Sequence, residues 1–122
     1  MEIYLHVPYC RQKCRYCDFA SFPHAESTQR AYVDAVLSEA ASQAAKLPHS
    51  AMETAYLGGG TPSILPPELL TRLLEGVTAH FPLAHGAEFT SEANPGTLTH
   101  AWLDAALNCG INRLSMGMQA AQ

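Results

Sequence analysis

The 122-residue sequence predicts an α/β fold built on a parallel sheet, and two observations carry that prediction. Strand-like and helix-like segments alternate in the order β-loop-α-β-α-β-α-β, a pattern that gives parallel strands joined by crossover helices. The polar and glycine-rich stretches follow the strands rather than the helices. That is the C-terminal edge, where α/β sheets and barrels bind their ligands.

Each element has its own signal. Residues 2–7, Glu-Ile-Tyr-Leu-His-Val, are rich in β-branched and aromatic types, and Pro8 stops the strand. Residues 8–26 show no period and carry Pro8, Pro23 and three cysteines, which predicts a long functional loop. Ser27 or Thr28 caps a helix to about Lys46, with Tyr32, Val36, Leu37, Ala40, Ala44 and Leu47 near helical spacing and Pro48 ending it. Residues 53–57 form a second strand, broken by Gly58-Gly59-Gly60-Thr61-Pro62-Ser63. Pro66-Pro67-Glu68 opens a helix to about His80 whose apolar face is Leu69, Leu70, Leu73, Leu74 and Val77. Residues 87–92 form a third strand and Asn94-Pro95-Gly96 a turn. A third helix starts at Thr97 or Thr99, runs through Trp102 and Leu107, and ends at Gly110 as its C′ residue. Residues 111–116 form the fourth strand. A complete eightfold barrel takes about 250 residues. The expectation is therefore half of a parallel (β/α) barrel, residues 1–122 being the N-terminal part of a larger core and folding poorly alone because a strand edge is left uncovered.

Composition narrows the function classes. Hydrophobic residues make up 48% and charged residues 15%, with a mean hydropathy of −0.04, which suits a folded domain rather than a disordered one. Seven basic against eleven acidic residues give a net charge of −4, which excludes a broad basic surface for nucleic acid. No apolar run approaches the roughly 18 residues of a membrane span. The apolar start has no basic leader, so a cytoplasmic location is expected.

The cysteines carry the chemistry. Cys10, Cys14 and Cys17 are spaced C-x3-C-x2-C and Cys109 stands apart before Gly110. A clustered set in a chain without secretory features points to metal binding, and thiolates select zinc or iron–sulfur clusters. His6 or His24 could complete a zinc site of a structural or interaction module. Three cysteines holding a [4Fe–4S] cluster would instead leave one iron without a protein ligand. Cys109 reads as a small buried hydrophobe.

Four motifs in order then resemble the radical S-adenosylmethionine (SAM) superfamily, and within it the oxygen-independent coproporphyrinogen III oxidase-like group. They are Tyr4-Leu-His6-Val-Pro8-Tyr-Cys10-x3-Cys14-x-Tyr16-Cys17-Asp18-Phe19, Tyr56-Leu57-Gly58-Gly59-Gly60-Thr61-Pro62-Ser63, Ser91-Glu92-Ala93-Asn94-Pro95-Gly96-Thr97, and Gly110 to Gln119. The resemblance implies a partial TIM-type barrel of the radical SAM kind. Cys10, Cys14 and Cys17 would hold a [4Fe–4S] cluster whose fourth iron is chelated by SAM, and one electron from the cluster would cleave SAM to start radical chemistry. Gly59, Gly60 and Thr61 would meet the methionyl amino group, where glycine permits close approach. Glu92 would contact SAM, since a carboxylate accepts bonds from amines and hydroxyls. Tyr4, Tyr16 and Gln119 match positions lining the SAM pocket, although Tyr4 equally suits a core position. Arg113 suits a role within its strand, and His6 alone would suit a satisfied core histidine. The oxidase pattern has a further cysteine at position 19, where this chain has Phe19. This resembles the haem chaperone branch, which implies haem or porphyrin as a partner and a flavodoxin or ferredoxin as reductant. The related decarboxylating dehydrogenase is the alternative, and residues 1–122 alone are expected to be inactive.

Overall fold

A computed structural model describes residues 2–8, 26–47 and 51–116. Its four strands are β1 (Glu2–Val7), β2 (Met52–Gly59), β3 (Leu83–Ala93) and β4 (Arg113–Met116), and its helices are α1 (Glu26–Lys46), α2 (Pro67–His80) and α3 (His100–Asn108), with a 3-10 turn at Pro62–Ile64. The strands form one sheet in the order β1-β2-β3-β4, and every pair is parallel. This is the parallel α/β architecture the alternation predicts.

The period of two along each strand sorts the side chains. Leu5 and Val7 of β1, Ala55 and Leu57 of β2 and Phe89 of β3 are buried in one core with Leu69, Leu70, Leu73, Leu74 and Val77 of α2 and Trp102 of α3. All five of the predicted α2 face residues are in that core. On α1 the seam lies slightly differently. Val33 is fully buried, Tyr32, Val36, Leu37, Ala40 and Ala44 pack against the core half-buried, and Leu47 is exposed. Side chains of opposite parity, Tyr4, Tyr56, Thr90 and Arg113, are register partners across the other face.

Boundaries moved for identifiable reasons. β2 and β3 are longer than expected because Met52 pairs with Leu83, beyond a register shift between Met52 and Thr54. The first turn of α3 is capped by Thr99, whose hydroxyl accepts from the Trp102 N–H at 3.0 Å. Thr97 is used elsewhere, bonding to Ser63 and to the Asn94 carbonyl. Gly110 has φ +107°, as the C′ position requires. β4 begins only at Arg113. Ile111 donates its N–H to the Ala106 carbonyl at 3.0 Å, and Asn112 spends its side chain on β3, accepting from the Phe89 N–H and donating to the Ala87 carbonyl, both at 2.9 Å. Among the described residues no helix is long and apolar enough to cross a membrane.

Candidate functional site

The C-terminal edge of the sheet gathers the glycine turn and the acidic strand end. Gly59, Gly60, Thr61, Pro62, Glu92, Ala93, Asn94 and Ser115 line one cavity of about 250 Å³. Four of the predicted cofactor-binding residues, Gly59, Gly60, Thr61 and Glu92, therefore share one site.

The turn is built by backbone demands. Gly59 has φ +113°, and a Cβ there would lie 2.6 Å from the Val7 carbonyl oxygen, so both conformation and space require glycine. The next amide, Gly60 N–H, donates to that same carbonyl at 2.7 Å. The turn is thus stitched to the last residue of β1, from which the sequence runs on to the cysteines. Thr61 accepts from the Ile64 N–H and leads into the 3-10 turn. Ser63 there accepts from the Asn94 N–H at 3.0 Å, tying the glycine turn to the end of β3.

Among the described residues, Glu92 is the only carboxylate in the lining. Its Oε1 accepts from the Gly59 N–H at 3.0 Å and its Oε2 from the Tyr56 hydroxyl at 2.9 Å. Those two bonds leave acceptor capacity on both oxygens. The described lining residues include no lysine or arginine. A polar pocket with one carboxylate and backbone glycines fits a ligand that presents an ammonium or hydroxyl groups, and so fits the SAM expectation. Arg113 does not enter the lining. It pairs with Glu88 at 2.9 Å in an exposed contact, the within-strand role expected of it.

Tyr4 is not a core residue: it is 57% exposed. Nor does it line this cavity. Its ring stacks on Tyr56 with centroids 5.9 Å apart, and its hydroxyl lies 3.2 Å from His6 Nδ1. His6 is exposed as well. Cys109 packs half-buried against the core, where burial pushes its thiol up. Among the described residues no three His, Cys, Asp or Glu side chains are grouped to hold a metal ion. The predicted ligands Cys10, Cys14 and Cys17, together with Tyr16, Phe19, His24 and Gln119, lie outside the described residues.

Two residues of the site carried no signal as site residues in the sequence. Tyr56 stood in the glycine motif, yet its bond to Glu92 spans two strands and has no local spacing. Ser115, one residue past Leu114, faces the cavity only because β4 pairs with β3 so that Ser115 stands opposite Glu92.

Known proteins resemble this chain in sequence and in fold. The family model of the radical SAM superfamily matches residues 4–122. The heme chaperone HemW of Escherichia coli (strain K12) is 41% identical over 123 residues, covering 98% of this chain and 32% of that protein. The oxygen-independent coproporphyrinogen III oxidase of Paracoccus denitrificans is 36% identical over 121 residues, covering 98% of this chain and 27% of that protein. Among solved structures, the coproporphyrinogen III oxidase HemN of Escherichia coli, described as a radical SAM enzyme, matches with a TM-score of 0.87 and 28% identity, covering 99% of this chain and 28% of that one. The chain thus spans less than a third of the length of the E. coli heme chaperone it matches.

Proposed function

The chain belongs to the radical SAM superfamily, and from that premise we propose that residues 1–122 form the SAM- and cluster-binding first part of a haem chaperone of the coproporphyrinogen III oxidase-like group. The observation that carries the reading is the cavity in which Gly59, Gly60, Thr61 and Glu92 meet, with Gly60 bonded to Val7 at the foot of the cysteine segment. Cys10, Cys14 and Cys17 would hold the [4Fe–4S] cluster. Gly59, Gly60 and Thr61 would bind the SAM amino group, and Glu92 would accept hydrogen bonds from the cofactor. Tyr16 and Gln119 would complete the pocket, whereas Tyr4, expected there from the resemblance, lies outside the described lining. When bound, the two cofactors supply one-electron chemistry that the chain itself lacks. The protein's share is to bind, orient and shield, and the fixed Glu92 carboxylate and the rigid glycine turn suit that share.

The chaperone branch is favoured by Phe19 and by the 41% identity to the E. coli protein. The oxidase reading keeps the support of the Paracoccus denitrificans relative and of the solved structure. Haem titration against a coproporphyrinogen decarboxylation assay separates the two: stoichiometric haem binding without decarboxylation fits the chaperone, and vinyl product fits the oxidase. The reductant would be a flavodoxin or ferredoxin, and the location cytoplasmic.

The test of the shared reading is electron paramagnetic resonance on chain reconstituted anaerobically with iron and sulfide, reduced, with and without SAM. A [4Fe–4S]⁺ signal that changes on adding SAM is expected. Zinc bound near one per chain with no cluster signal would overturn it in favour of a zinc-binding module.

A further inference from the structure

We propose that Tyr56 is a positioning residue for the cofactor site: its hydroxyl holds the Glu92 carboxylate in the one orientation that also anchors the Gly59 amide. The inference rests on the reading of Glu92 above and adds a residue to it. Three observations carry it.

The first is the division of the carboxylate. Oε2 accepts from Tyr56 at 2.9 Å while Oε1 accepts from the Gly59 N–H at 3.0 Å. With each oxygen tied to a different donor, Glu92 cannot rotate without breaking a charge-assisted bond, and such bonds are about twice as strong as neutral ones. The second is the space beneath the bridge. A Cβ on Gly58 would lie 2.8 Å from Tyr56 Cε1 and 3.0 Å from Glu92 Oε1. The strand is bare of side chain where the ring and the carboxylate cross it. The third is the bracing of the ring. Tyr56 stacks on Tyr4 of β1 at an interplanar angle of 17°. One side chain on β2 therefore touches partners on both neighbouring strands, β1 and β3. A ring that only filled space would need no acceptor. Here the hydroxyl is aimed at the one carboxylate among the described residues of the cavity lining. Tyr56 itself lies outside that lining, so its effect on a ligand must run through Glu92.

The test is a double-mutant cycle on SAM binding by the cluster-loaded chain, read by equilibrium dialysis: wild type, Tyr56→Phe, Glu92→Gln and both together. Tyr56→Phe is expected to weaken SAM about tenfold, equivalent to about 1.4 kcal/mol, with the far-ultraviolet circular dichroism of the folded chain retained. It should add nothing in the Glu92→Gln background. Hydrogen exchange of the residue 57–61 segment should also quicken in Tyr56→Phe without SAM. A Tyr56→Phe chain that binds SAM as the wild type does, or a loss that adds in full to that of Glu92→Gln, overturns the positioning role alone. A Glu92→Gln chain with wild-type binding overturns the reading of Glu92 itself, and with it any action of Tyr56 through that carboxylate. Should Tyr56→Phe fail to fold, Tyr56→Leu, which also lacks a donor, carries the same cycle with the same outcomes.

Discussion

Tyr56 and Gly59 show how single residues set the site. Hydrogen bonding to Glu92, burial and the nearby Glu92 charge, in that order, raise the Tyr56 phenol above its ordinary value, with Ser115 opposing. The folded phenol therefore keeps its proton to higher pH than the unfolded one. Its contribution to stability is full below the ordinary tyrosine value and is lost as pH climbs through the raised folded value. The ultraviolet phenolate difference between wild type and Tyr56→Phe should accordingly titrate above the ordinary tyrosine value. The stability difference between the two chains should shrink as the medium becomes strongly alkaline. A phenolate that titrates at the ordinary value would contradict the bond to Glu92. Gly59 makes a conformational rather than an electrostatic demand. Gly59→Ala would force a Cβ to within 2.6 Å of the Val7 carbonyl at φ +113°, and should cost about 2–3 kcal/mol, read as a fall in the denaturation midpoint. The glycine motif was legible in the sequence because positive φ has a residue type. The Tyr56 bond was not, because a tyrosine 36 positions from its carboxylate has no local signature.

Helix packing brings a second glycine into play. α1 crosses α2 so that Leu37 sits directly over Gly76, and a Cβ at 76 would collide with the whole isobutyl head of Leu37. Alanine favours a helix interior over glycine by about 1 kcal/mol, but overpacking typically costs about 1–3 kcal/mol. Gly76→Ala should therefore destabilise by about 1 kcal/mol in chemical denaturation. Leu37→Ala should restore the helix-propensity gain in the double variant. Stabilisation by Gly76→Ala alone would show that α1 yields freely. The sequence makes α2 plain through its leucine spacing, and all five predicted positions are buried. It does not show Gly76 as a contact, since a glycine inside a helix reads only as a weak helix former. Asn112 is similar. It reads as the second residue of a strand, yet its side-chain amide does the work of a strand by bonding to Phe89 and Ala87.

Across the whole sheet, β1 and β4 each pair on one side only among the described residues. Every residue of β4 is exposed, including Leu114 at 39% and Met116 at 46%. Unpaired edges with apolar side chains recruit further strands. Residues 1–122 prepared alone should therefore self-associate with rising concentration in sedimentation velocity and melt broadly. A monomer at all concentrations with a sharp transition would contradict this.

What the sequence by itself determined was the element order, the parallel sheet, the α2 face and the grouping of Gly59, Gly60, Thr61 and Glu92 at one edge. These follow from periodicity, from residues with special backbone freedom and from a topology that puts every strand end on the same side. Tertiary structure alone decided which donors hold Glu92, that Tyr4 stands out in solvent against Tyr56, and that Arg113 turns to Glu88 rather than to the cavity. Those outcomes depend on register between strands far apart in the chain. A one-residue slip in register would send each of these side chains to the opposite face, and no local pattern encodes that choice.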